Sequence, residues 1–162
     1  MATAIQSSVV STGPAAGAPG QEYDCGFNDV VSGRAAEDIP FGRYVVRSAE
    51  GDWELPDSLA EITANDGGVA LIDATAKSGV GYLAGDAIRV LVRGRVWVQT
   101  EQTVAQSDPA FVRGLIATTE VKGAFRADAD TANAVAAPGC NYFIGVTGAG
   151  LAVVTVNHPK GT

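Results

Sequence analysis

Between Ile88 and Gln99 the chain reads Ile-Arg-Val-Leu-Val-Arg-Gly-Arg-Val-Trp-Val-Gln, two β-branched segments either side of Arg93-Gly94. Branching at Cβ restricts χ1 and favours extended backbone, so both segments are expected to be strands. A two-residue connection with a glycine free to take positive φ predicts a tight hairpin at Arg93-Gly94. The register that follows sets Val92 opposite Arg95, Leu91 opposite Val96, Val90 opposite Trp97 and Arg89 opposite Val98. Val90 and Trp97 then share one face, and Leu91 and Val96 share the other. With both faces apolar, this element belongs in the middle of a barrel or sandwich, where each cross-strand pair adds about 0.2–1 kcal/mol.

The rest of the chain has the same short rhythm. Runs at Asn28–Gly33, Arg43–Arg47 and Val69–Ile72 read as strands, as do Thr118–Arg126 and a stretch through Arg113 fed by the turn Ser107-Asp108-Pro109. Gly123 is expected to mark a bulge or a close approach. A closing hairpin is predicted from Asn141–Val146 and Leu151–Asn157, joined through Thr147-Gly148-Ala149-Gly150. Ile39-Pro40-Phe41-Gly42 reads as a turn with an apolar plug, and Asp57–Ile62 as a single helical turn. With 162 residues, 46% of them hydrophobic, 20 glycines and 7 prolines, the chain is expected to form one all-β domain, a small β-barrel or β-sandwich of about nine to eleven short strands.

The domain is expected to span residues 23–162, preceded by an extended N-terminal arm over residues 1–22. In the arm, Ile5, Val9 and Val10 precede Thr12-Gly13-Pro14-Ala15-Ala16-Gly17-Ala18-Pro19-Gly20, a run too poor in large apolar groups to offset its ordering entropy. Such an arm needs a surface, its own barrel or another chain, with Ile5, Val9 and Val10 as the apolar anchors.

Charge and motif spacing exclude several functions. The formal net charge of −7 argues against nucleic acid, which demands clustered Lys and Arg. No apolar run reaches the length of a membrane-spanning helix, and the N-terminus lacks the basic and apolar regions of a signal peptide, so a cytosolic start is expected. Cys25 and Cys140 share no metal or redox spacing. They are expected to be separate thiols, a single disulfide being the other arrangement open to them. The lone histidine, His158, has no nucleophile motif near it, and Ser48 or Ser78 with Lys77 lacks an elbow. Asp128-Ala129-Asp130 opens like a calcium loop, but Asn133 and Gly139 occupy the sixth and twelfth places, where glycine and glutamate are required. Glu37 and Asp38 are adjacent and diverge, Asp86 is expected to bond its own turn, and Gly145, Gly148 and Gly150 join two strands rather than opening a helix. No catalytic, cofactor-binding or metal-binding residue is assigned. What remains is Arg89, Arg93 and Arg95 at the expected hairpin tip, either solvated strand-end charges or bidentate contacts to carboxylates on a partner. A free-standing module that stacks a glycan or peptide on an exposed Trp53 or Tyr82 is the alternative.

Taken together, Gly33-Arg34-Ala35-Ala36-Glu37-Asp38-Ile39-Pro40-Phe41-Gly42-Arg43-Tyr44-Val45, Gly68-Val69-Ala70-Leu71, and the stretch from Tyr82-Leu83-Ala84-Gly85-Asp86 through Gly94-Arg95-Val96-Trp97-Val98 resemble the structural cement, or capsid decoration, proteins of tailed bacteriophages. The last strand, Gly150–Asn157, is similar to that family's as well. The resemblance covers roughly residues 28–157, leaving the arm outside it. It implies a small β-barrel or sandwich, commonly trimeric, made in the host cytoplasm and bound to the outside of a capsid, where it bridges major capsid protein subunits. It implies neither an enzyme nor a cofactor. On this reading Ile5, Val9, Val10, Arg34, Arg93 and Arg95 are the residues expected to meet the partner.

Overall fold

No turn forms at Arg93-Gly94: Ala87–Thr100 is one continuous strand of 14 residues. The computed structural model describes residues 17–116 and 120–158, so Ile5, Val9 and Val10 lie outside the described residues. Among those residues the order is β1 (Asp29–Arg34), β2 (Ile39–Pro40), β3 (Tyr44–Arg47), β4 (Trp53–Glu54), α1 (Leu59–Ala64), β5 (Gly67–Ala70), β6 (Gly81–Tyr82), β7 (Ala87–Thr100), β8 (Pro109–Arg113), β9 (Phe125–Arg126), β10 (Ala134–Ile144) and β11 (Gly150–Asn157). The all-β expectation and the strand number hold.

The hairpin fails because each half of β7 has better partners than the other half. Its first half pairs antiparallel with β1, Val31 opposite Val90, and on its other edge with β5, Val69 opposite Leu91. Its second half pairs with β11 from Thr100 opposite Gly150 to Arg93 opposite Asn157. On the other edge it meets Glu22 through an isolated bridge at Val96, and β9 in parallel at Thr100. Two apolar faces bury far more surface among these segments than a lone hairpin could. The side-chain alternation slips by one between Leu91 and Arg93, where the β1 register shifts, next to Gly94 at φ 139°. Leu91 then points into the same core as Val96 and Val98, while Ile88, Val90 and Val92 point into another.

Two cores result. Strands β7, β11, β10, β8 and β9 close on themselves, because β7 pairs with both β11 and β9. Val96, Val98, Val112, Phe125, Tyr142 and Val154 fill that core. The second lies on the other face of β7, β5 and β3, where Ile39, Val45, Trp53, Tyr82 and Val90 are buried together. Closed sheets leave few edges for stray pairing.

Most local expectations hold. Ile39 and Phe41 are buried, with the Phe41 ring edge-on to Tyr82 at 5.3 Å. Ser58 Oγ accepts from Glu61 N at 3.3 Å and caps α1. The closing hairpin forms as β10 and β11, with Tyr142 opposite Val154. The strand expected over Thr118–Arg126 is confined to Phe125–Arg126 among the described residues; Lys122-Gly123 is a turn and Gly123 lies close against the Tyr44 backbone.

The end of the expected arm is stitched to the barrel. Gly20 N donates to Trp97 O at 2.8 Å, Trp97 N to Gln21 O at 2.9 Å and Tyr23 N to Arg95 O at 2.9 Å. The Trp97 ring packs edge-on to Tyr23 at 5.7 Å, and a Cβ on Gly17 would overlap it.

Cys25 is exposed, Cys140 is buried, and neither is bonded to the other. Burial pushes the Cys140 thiol up to about 12. A thiol reagent at about pH 8 is therefore expected to label one cysteine per native chain and two in denaturant; two labels on the native chain would contradict the burial. An unfolded cysteine titrates near pH 8.5, so the stability gained from a neutral Cys140 is whole below that pH and declines as pH rises toward 12.

Candidate partner-binding surface

Alternation along β7 puts Arg93 and Arg95 on one side, and β11 sets Asn157 and Thr155 opposite them. The loop over residues 24–28 leans across this corner. The result is an open groove of about 360 Å³ whose lining includes Asp24, Phe27, Asn28, Arg93, Arg95 and Thr155. Arg95 is committed: Nη1 donates to Asp24 Oδ2 at 2.8 Å, and its guanidinium carbon stands 3.9 Å from the Phe143 ring centroid. Arg93 is exposed, with Asp29 opposite it across the β1–β7 ladder. At the lip Phe27 is 99% exposed. An exposed guanidinium beside a fully exposed aromatic is a combination enriched at the energetic centres of interfaces, because together they bury much apolar area and offer a directed set of donors.

The remaining arginines behave differently. Arg89 Nη2 lies 3.9 Å from Glu22 Oε1, a solvated surface pair. Arg34 is at the far end of β1, where it pairs with Ala87 in register and donates from Nε to Asp52 Oδ2 at 3.0 Å. Six residues of β7 separate that point from Arg93, roughly 20 Å. The structure brings Arg93 and Arg95 together and leaves Arg34 apart.

The charged cluster that sequence reasoning missed is internal. Arg113 and Arg126 have side chains only 3% and 8% exposed. Glu101 Oε2 accepts from Arg113 Nη2 at 2.8 Å and from Arg126 Nη1 at 3.0 Å. Asp130 Oδ2 accepts from Arg113 Nη1 at 2.6 Å, and Asp128 Oδ1 from Arg126 Nη2 at 2.7 Å. The acids that open like a calcium loop are thus paired with arginines; a hydrogen bond from Gln102, followed by one from Arg126, holds the Asp128 carboxyl below the usual carboxylate range. They also hold a turn in which Asp130, Thr131 and Ala132 all have positive φ, a conformation costing about 1–2 kcal/mol per residue. No local motif pairs these residues; only the ends of β7, β8 and β9 meeting in space does so.

Other candidates fall into structural roles. Ser78 Oγ accepts from Gly81 N at 3.0 Å within its own turn, and Lys77 Nζ lies 3.8 Å from Asp86, so no serine–lysine dyad forms between them. Leu83 N donates to Asp86 Oδ2 at 3.0 Å, as expected of that turn. Glu37 and Asp38 diverge, accepting from Leu55 N and Ala84 N respectively. His158 donates its backbone N–H to Val92 O at 3.1 Å. Trp53 and Tyr82, expected to be exposed for the glycan alternative, are 1% and 2% exposed. Both are core residues, because the β1, β3 and β4 strands and the β2–β6 ribbon close over them.

Against known families, residues 5–157 match the model described as structural cement protein (E217 gp24/Pam3 gp6). Among solved structures, a chain in the capsid of Myoviridae Phage XM1 superposes with a TM-score of 0.66 at 18% identity, over 92% of this chain and 95% of that one. At that identity the likeness is one of fold. No curated protein matches.

Proposed function

We infer that this chain, which belongs to the phage structural cement protein family, is a virion component that binds the outer surface of an assembled capsid and ties neighbouring major capsid protein subunits together. The family match over residues 5–157 carries the reading, since it spans the barrel and Ile5, Val9 and Val10 of the arm. The groove of Arg93, Arg95 and Phe27 supports it by offering a guanidinium and an aromatic to a partner. Arg34 is a third, separate charge contact. A protein that binds only the assembled shell stabilises it by RT ln(1 + [L]/Kd) per site, about 2.7 kcal/mol at a hundredfold excess over Kd, repeated over the lattice. Assembly as a trimer multiplies arms and grooves on one particle and converts modest contacts into avidity. The function requires no catalytic residue, cofactor, nucleic acid or membrane, and it places the protein, made in host cytoplasm, on the capsid exterior.

Removing residues 1–16 spares the hydrogen bonds of Gly20, Gln21 and Tyr23 to β7, so the barrel is expected to keep its melting temperature while co-sedimentation with expanded capsids falls. Arg93→Glu is expected to weaken co-sedimentation about tenfold or more, the scale of a lost charge-assisted contact. If both variants pellet with capsids as the full chain does, the arm and the groove have no part in binding.

A further inference from the structure

A second groove lies near the other end of β7. Its volume is about 390 Å³, its lining includes Gln99, and its walls are the apolar side chains of Pro19, Pro40, Phe41, Ile72 and Val80. Arg43 enters it just after the turn at Gly42. The backbone there is fixed: Phe41 N donates to Val80 O at 3.1 Å, Gly42 N to Ala70 O at 2.8 Å and Ala70 N to Arg43 O at 2.9 Å. The Arg43 side chain is half-buried, and its guanidinium makes no hydrogen bond or ion pair with any described residue. Burial lowers its pKa; Glu101, the acid acting on it through space, already serves Arg113 and Arg126. A half-buried guanidinium that has no partner among the described residues offers its fork of donors to an incoming acceptor.

The arm cannot complete it. Ala18 and Pro19 line the groove, so the arm begins at its lip, but residues 1–21 contain no Asp or Glu. A carboxylate that meets Arg43 here is therefore not supplied by residues 1–21.

We propose that this groove receives an extended segment of the capsid subunit in which a carboxylate sits beside an apolar side chain, the carboxylate forked onto Arg43 and the apolar group against Ile72 and Val80. The assignment rests on the cement reading and adds the chemistry of the segment recognised. A guanidinium fork meets a carboxylate through two parallel hydrogen bonds, and the apolar wall excludes the water that would weaken them.

The test uses the full chain and expanded capsids lacking it. Val80 is 74% exposed, so benzoylphenylalanine at this position is expected to leave the fold intact. On irradiation it should cross-link to a capsid-subunit peptide with an Asp or Glu close to the attachment point. A cross-link to another copy of this chain, to a capsid peptide without an acid, or to nothing while the protein remains bound overturns the proposal. Arg43→Gln is expected to weaken capsid binding about tenfold or more with an unchanged melting temperature. Should that variant misfold, Val80→Asp sets a like charge against the incoming carboxylate from an exposed position and is expected to weaken binding similarly. If the unaltered chain does not bind capsids, the cement reading and this assignment fall together. If it binds and the Arg43 and Val80 variants bind equally well, the groove assignment alone falls.

Discussion

Glu101→Ala is expected to lower the unfolding free energy by about 3 kcal/mol, the lower end of the cost of breaking a buried ion pair. Glu101 is the acceptor shared by Arg113 and Arg126, whose side chains are almost wholly removed from water. Its loss strips Arg113 of the bonds from Nε and Nη2 and Arg126 of one from Nη1, leaving two nearly buried guanidiniums short of acceptors. The ends of β7, β8 and β9 then lose their common anchor, and the turn at Asp130–Ala132 loses part of its support. For a chain of this size the melting temperature should fall by roughly 6–12 °C. Asp128→Asn is the control: its side chain is 60% exposed, and an exposed pair contributes at most about 1 kcal/mol. Equal losses from the two changes in thermal or urea unfolding would refute the shared-anchor account. High salt should narrow the difference only slightly, because the two guanidiniums are shielded from counterions.

Gly94→Val is expected to cost about as much, roughly 3 kcal/mol, by another route. A valine would have to adopt φ near 139°, outside the region open to branched side chains. Its Cβ would overlap Asn28 Oδ1 and come within 3.2 Å of Leu91 Cδ1. Relieving either clash shifts the alternation of β7, which turns Val96 and Val98 away from the core they share with Leu91. Gly94→Asn separates this role from that of a hairpin tip. Asparagine is welcome in a two-residue hairpin turn but has no room beside Asn28 within a strand, so it too should destabilise. Wild-type stability of the asparagine variant in urea unfolding would restore the hairpin.

What local chemistry decides was readable from the residues. β-branched runs broken by glycine and proline predict an all-β chain, Asp57–Ile62 predicts the helical turn that becomes α1, and Ile39-Pro40-Phe41-Gly42 predicts a buried turn. Each depends on groups within a few positions of one another. Arg93 and Arg95 were expected together at the tip of a hairpin; they are together, but side by side on one continuous strand. Arg43 and Phe27 were not legible. Their importance is that one guanidinium lacks a partner and one ring lacks cover, and both facts depend on where other segments end up.

β7 divides the two kinds of information most clearly. Its sequence dictates an extended element apolar on both faces with a glycine at its middle, and that element is present. Whether the glycine folds the strand back or lets it run on is not a local property. A hairpin and a bulged long strand satisfy the same side chains and the same backbone preferences. The choice falls to the surface that β1, β5, β9, β11 and residues 20–23 bury against it, segments distant in the chain. The same long-range closure puts Arg113 and Arg126 beside Glu101 and withdraws Trp53 and Tyr82 from solvent, because burial and ion pairing depend on the whole packed arrangement and not on any one stretch.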